Sequence, residues 1–115
     1  MKLIVAGGRE FDDYELLSKE ICKLIVDTRT DSIISGTARG ADSLGAQYAN
    51  EHFIPLISMP ADWNRYGKAA GYRRNEEMAK VADACLCFWD GESKGTKHMI
   101  DLAKEYDLHL IIVKY

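Results

Sequence analysis

The sequence predicts an α/β fold: a single three-layer, doubly wound domain whose five-stranded parallel sheet has the spatial order 3-2-1-4-5. Three observations carry this. Short apolar runs alternate with longer segments of helical period. Glycine-rich turns recur just after the strand-like runs. The run Ala84 to Trp89 is nearly all apolar, as in a central strand covered on both faces. Alternating strands and helices imply right-handed βαβ units, for which 3-2-1-4-5 is the simplest winding. With 115 residues, 47% of them apolar, the chain can bury a core without metal or disulfide staples. Residues 1–115 read as one domain, with no linker, repeat or low-complexity segment.

Lys2 to Ala6 is the first strand, and Gly7-Gly8-Arg9-Glu10-Phe11-Asp12-Asp13 the loop after it, where Asp12 or Asp13 can cap the next helix. From Tyr14 to Val26, Leu16, Leu17, Ile21, Leu24 and Ile25 fall at helical spacing, with Cys22 in the packed stripe or at its margin. Asp31 to Gly36 is the second strand. Ala41 to His52 is the second helix, whose Ala41, Gly45, Ala46 and Ala49 allow close packing on a sheet. Ile54 to Met59 is the third strand, stopped by Pro60.

Ala61 to Gly71 is the least regular segment, a loop holding Asp62, Trp63, Arg65, Tyr66 and Lys68. Long aromatic and charged loops in small domains are usually functional. Tyr72 to Val81 is a third helix and Ala84 to Trp89 the fourth strand. Asp90 to Thr96 is a loop leading into a fourth helix through Met99, Ile100, Leu102 and Ala103. His109 to Val113 is the fifth strand.

A net charge of −3 argues against a general electrostatic binder of DNA or RNA, though it leaves room for a local basic cleft. Three cysteines, Cys22, Cys85 and Cys87, lack paired metal spacing, so buried reduced thiols are expected rather than a disulfide framework or zinc site. His98 and His109 have no partner at metal-ligand spacing, and neither a metal nor a resident cofactor is expected. The first apolar run meets Gly7-Gly8 too early for a signal peptide, and no run approaches membrane-spanning length. The expectation is a cytoplasmic protein without a membrane partner. A small-residue or apolar helix face leaves a homo-oligomer open.

The chemistry centres on Ser35-Gly36-Thr37-Ala38-Arg39-Gly40-Ala41-Asp42, between the second strand and its helix. Gly36 and Gly40 let the backbone approach a ligand, and the helix N-terminus favours a phosphate. The competing account is an ordinary α/β connection. In the predicted sheet the ligand crevice lies beyond the carboxyl ends of the strands, between the first and fourth. Gly7-Gly8-Arg9, Ser35 to Asp42, Asp62-Trp63 and Asp90 to Thr96 all fall at that edge.

Arg39 and Arg74 can clamp a phosphate by bidentate hydrogen bonds; the alternative is a surface ion pair. Trp63 and Trp89 can stack on a base or pack in the core. Asp62 and Asp90 can hold ribose hydroxyls or act as turn and helix caps. Ser93-Lys94-Gly95-Thr96 reads as a second phosphate cradle or a helix cap, without Walker A spacing. Lys68 reaches over the cleft or into solvent, and Arg73 points away from Arg74.

Together, Gly7-Gly8-Arg9 with Phe11, Gly36 to Asp42, Ala61-Asp62-Trp63, Ala70-Gly71 with Arg74-Asn75 and Met78, and Phe88-Trp89-Asp90-Gly91 with Ser93 to Thr96 resemble the YspA/YpsA-related branch of the SLOG superfamily. The resemblance runs over essentially the whole chain. It implies a small Rossmann-like fold and a nucleotide-like ligand, while the chemistry differs among branches.

That superfamily includes the "lonely guy" phosphoribohydrolases and the DNA-processing protein. The hydrolases' RKxxM motif is similar to Arg74-Asn75-Glu76-Glu77-Met78, which implies that Arg74 and its neighbour Asn75 face the ligand. Their GGxGTxxE motif is similar to Glu92 through Met99, but the catalytic glutamate position holds Met99. A thioether cannot stabilise positive charge on a ribose. The resemblance therefore implies binding before hydrolysis, with Asp42, Asp62, Asp90 or Glu76 as substitutes if a carboxylate acts.

Three functions follow as expectations. The first is a sensor or sequestering protein for a nucleotide or a nucleotide-derived, ADP-ribose-like small molecule. The second is a phosphoribohydrolase-like N-glycosidase. The third is a single-strand nucleic-acid binder using Arg65, Lys68, Arg73, Arg74, Lys94 and Lys97.

Overall fold

In the structure, a computed structural model describing residues 1–115, the elements run β1 (Lys2–Gly7), α1 (Tyr14–Thr28), β2 (Ser32–Ser35), α2 (Ala41–Glu51), β3 (Leu56–Ser58), α3 (Trp63–Tyr66), a 3₁₀ turn (Gly67–Ala69), α4 (Ala70–Val81), β4 (Ala84–Trp89), α5 (Lys94–Glu105) and β5 (His109–Lys114). All strand pairs are parallel and the order is β3-β2-β1-β4-β5, as the alternation predicts. No helix is long and apolar enough to cross a membrane.

Strand side chains alternate between two apolar layers. Leu3, Val5, Ile33, Leu86 and Phe88 meet Leu17, Ile21 and Leu24 of α1 and Tyr48 of α2 on one face. Ile4, Ala6, Ile34, Cys85 and Cys87 meet Met78 of α4 and Met99, Ile100 and Leu102 of α5 on the other. Both faces of β1 and β4 are covered, which is why their runs are continuously apolar. Gly45 of α2 lies against Val5, where an added Cβ would stand 2.8 Å from that side chain, so the helix seats close to the sheet.

Three expectations are corrected. Ala61–Gly71 is not an irregular loop. Asp62 accepts a hydrogen bond from the Arg65 amide and starts α3, after which the chain winds through the 3₁₀ turn into α4. β3 begins at Leu56 rather than Ile54, because Phe53 takes a left-handed φ of 55° and the Ile54 amide donates to the Ala49 carbonyl, wrapping the end of α2. Cys22 is exposed. The buried stripe of α1 passes through Leu17, Ile21, Leu24 and Thr28, and Cys22 lies about 100° round from Ile21. Cys85 and Cys87 are buried side by side, Sγ to Sγ 3.4 Å, as their shared strand face requires.

Candidate functional site

β1 and β4 are neighbours whose following connections go to opposite sides of the sheet. Their carboxyl ends therefore part, and a cavity of about 400 Å³ opens there. Its lining includes Gly7, Gly8, Arg9, Ala38, Asp42, Trp63, Lys68, Arg74, Asn75, Asp90, Ser93, Gly95 and Thr96, so thirteen candidate residues meet in one place.

The Ser35–Asp42 turn is held by its own polar groups. Ser35 Oγ donates to the Asp42 carbonyl and accepts from the Thr37 amide, and the Ala38 amide donates to Asp42 Oδ2. Thr37 adopts a left-handed φ of 64°, a strained choice for a β-branched residue of the kind found at ligand clamps. Arg74 reaches across from α4 to the turn: Nη1 donates to the Gly36 carbonyl and Nε to Asn75 Oδ1. This approach requires glycine, because a Cβ at Gly36 would stand 2.5 Å from Arg74 Nη1 and 2.7 Å from Asp42 Oδ2.

Asp42 is 5% exposed, and burial pushes its carboxyl up to about 6, against the opposing pull of Arg74, the Ala38 amide and Arg9. Burial likewise lowers the Arg74 pKa; Asp42 opposes this and Arg9 adds to it. Neither Arg74 nor Arg9 belongs to any of the chain's ion pairs.

Asp42 sets a pH dependence with a definite sign. Its folded-state pKa lies above the unfolded value of 3.8, so the folded chain holds the proton more tightly. Its contribution to stability is fully present below pH 3.8 and is lost as pH rises to about 6. The span corresponds to on the order of 3 kcal/mol. Asp42→Asn keeps an acceptor for the Ala38 amide and should remove this slope. Urea unfolding at a series of pH values between these limits checks it, and an unchanged slope in the variant would refute it.

On the β4 side, Asp90 accepts from the Glu92 and Ser93 amides, which lowers its pKa and shapes the turn. Ser93 caps α5 by accepting from the Thr96 amide. Asn75 Nδ2 donates to the Gly95 carbonyl and lies 3.3 Å from His98 Nδ1, tying α4 to α5. Trp63 is 52% exposed at the mouth of the cavity.

Eight candidates stand outside this cavity. Ser35 and Ala41 are fully buried beneath the turn. Gly36 and Gly40 shape the turn from behind, and Lys94 is exposed at the start of α5. Asp62 is the α3 cap. Trp89 packs against the α4–α5 layer with Nε1 donating to the Ser93 carbonyl. Arg39 points outward to Glu10, Nη2 to Oε1 2.8 Å, in an ion pair whose partners are 72% and 84% exposed. Its surface-pair alternative is the one observed.

Of the four carboxylates that could replace a catalytic glutamate, Asp42 and Asp90 line the cavity. Glu76 lies on the outer face of α4 beside Lys80 and Tyr106. Met99 is 1% exposed and packs with Met78 at the cavity floor. The structure also adds Glu10, Tyr72 and Tyr115 to the wall. Tyr115, directly after β5, places its hydroxyl over Gly8 and packs edge-to-face with Phe11. Glu10, next after Gly7-Gly8-Arg9, and Tyr72, directly after Gly71 and two residues before Arg74, had a signal in the sequence.

A family model, YAcAr, the YspA, cpYpsA-related SLOG family, matches residues 1–66. The chain belongs to this family. The matched part of this SLOG chain contains β1, the Ser35–Asp42 turn and Trp63, three of the parts that build the cavity. The Gene 61 protein of Mycobacterium phage D29 is 38% identical over 85 residues, covering 69% of this chain and 68% of that protein. The fold is similar to that of DNA processing protein A from Helicobacter pylori, solved in a study of its single-stranded DNA binding mode. The TM-score is 0.70 at 17% identity, over 97% of this chain and 64% of that one. This SLOG chain therefore spans somewhat less than two thirds of that structure.

Proposed function

We propose that residues 1–115 act as one domain that binds a nucleotide or nucleotide-derived small molecule in the β1/β4 cavity, as a sensor or sequestering protein. The observation that carries this reading is the unpaired state of Arg9 and Arg74 in one cavity. The two guanidinium groups repel each other, neither has a carboxylate within 4.0 Å, and the single buried charge of Asp42 offsets them only in part, so the pair suits an anion. The exposed face of Trp63 beside them suits a base, and the Asp90 turn suits ribose hydroxyls. Placement at the switch point of a parallel sheet supports the same reading.

The buried Met99 at the glutamate position supports binding without N-glycosidic cleavage. Native mass spectrometry of the protein as purified from cells, with release of any bound molecule, is the direct test. A retained, intact nucleotide derivative is the expected result. For protein that emerges empty, a nucleotide at a hundredfold excess over its Kd should raise the melting temperature by about 10 °C. An empty protein whose melting temperature no nucleotide moves would end the proposal. Release of a free base with ribose phosphate would replace it with the hydrolase.

A second reading, single-stranded nucleic-acid binding, is favoured by the described behaviour of the DNA processing protein whose fold is similar. The net charge of −3 opposes it. Binding of an oligonucleotide that weakens steeply with salt would support this reading over the first.

A further inference from the structure

Beside the cavity runs a groove of about 420 Å³ that shares Arg9, Ala38, Trp63 and Arg74 with it and is otherwise distinct. The two differ in chemistry. The cavity mixes cations with Asp42, Asp90 and Glu10 and carries three aromatic side chains, Trp63, Tyr72 and Tyr115. The groove is lined by Arg9, Arg39 and Arg74 with no carboxylate among its lining residues, although Glu10, just outside it, is paired with Arg39. Its one aromatic is the shared Trp63, and its far wall is Pro60 and Ala61.

A groove bordered by three arginines, of which Arg39 is held by Glu10 from outside the groove, suits phosphate, and a wall without a second aromatic face gives a second base nothing to stack on. The cavity alone is near the lower end of the ~300–1,000 Å³ range of ligand pockets, enough for one nucleoside with its first phosphate. Arg9 and Arg74 stand on the boundary between the two lobes, where that first phosphate would lie.

We propose that the ligand is a nucleoside carrying two or more consecutive phosphates, with the nucleoside in the cavity and the distal phosphate in the three-arginine groove. Arg39 is the group that reads the distal phosphate. Its present partner, Glu10, is held only by an exposed ion pair, which is weak and readily exchanged for a dianion. The inference rests on the nucleotide-binding reading and adds the phosphate count and the residue that senses it.

Isothermal titration of the full chain with the mono- and diphosphates of adenosine, guanosine, cytidine and uridine tests it. For whichever nucleoside binds, the diphosphate should bind about tenfold tighter than the monophosphate, as expected for one added charge-assisted contact. Arg39→Ala should bring that ratio to within about twofold of unity, and Glu10→Ala, which frees Arg39, should keep or widen it. Arg39 is exposed, so the variant should fold, and its melting curve verifies that.

Equal affinity for mono- and diphosphate, or a ratio that Arg39→Ala leaves intact, overturns the inference while the nucleotide reading stands. Failure of every member of the panel to bind at millimolar concentration overturns the inference, while a nucleotide derivative retained by the purified protein would show that the wider reading stands. An oligothymidylate that binds more tightly than any diphosphate, with steep salt dependence, assigns the groove to a nucleic-acid strand and also overturns the inference.

Discussion

Gly40→Ala should cost about 3 kcal/mol or more of folding stability and lower the melting temperature by roughly 10 °C. Two effects combine. Gly40 has φ +81° and ψ −132°, a backbone conformation that side-chain-bearing residues rarely adopt. An added Cβ would also stand 2.2 Å from the Gly8 carbonyl oxygen and 2.7 Å from the Arg9 backbone. These are main-chain atoms, so no rotamer change relieves the clash. The β1 loop and the start of α2 would have to separate, breaking the hydrogen bond from the Ala41 amide to the Gly8 carbonyl.

Gly91 supplies the control. It has φ +90° with nothing within 4 Å of an added Cβ, so Gly91→Ala carries the backbone strain without the clash. That variant should cost about 1 kcal/mol. Urea unfolding of both separates the two effects, and equal losses would show that the close approach of the two loops does not matter.

The strands were legible in the sequence because each is a run bounded by glycine, proline or charge, and because burial on both faces leaves Leu3–Ala6 of β1 and Ala84–Phe88 of β4 no polar positions. The 61–71 segment was not. Its helical turns are too short to show a period, and the only sign was Asp62 three residues before the amide it caps.

The glycine turns fall at the mouth of the cavity, since close backbone approach there needs missing side chains. Pattern could not distinguish Arg39 from Arg74, as both lie next to such turns. Which one points inward depends on pairs far apart in sequence: Glu10 draws Arg39 outward, whereas the Gly36 carbonyl draws Arg74 in. Tyr115 had no local signal at all, because its place over Gly8 follows only from β5 pairing beside β4.

Arg74→Ala should weaken nucleotide binding by about thirtyfold, or roughly 2 kcal/mol, the scale of a lost charge-assisted hydrogen bond. Arg74 touches three parts of the site: it donates to the Gly36 carbonyl of the turn, it donates to Asn75, and its charge stabilises the buried Asp42 carboxylate. Removing it leaves Asp42 without its leading cation, so the carboxyl should titrate above its present value of about 6.

Arg74→Lys discriminates between charge and geometry. A lysine keeps the charge near Asp42 but cannot present the planar fork that spans turn and ligand. It should therefore restore the Asp42 titration while recovering little of the affinity. Titration calorimetry with the best-bound nucleotide, together with the pH dependence of unfolding for both variants, reads the two effects separately. Full affinity in Arg74→Lys would mean that the site needs only a positive charge, and unimpaired binding in Arg74→Ala would remove Arg74 from the ligand site.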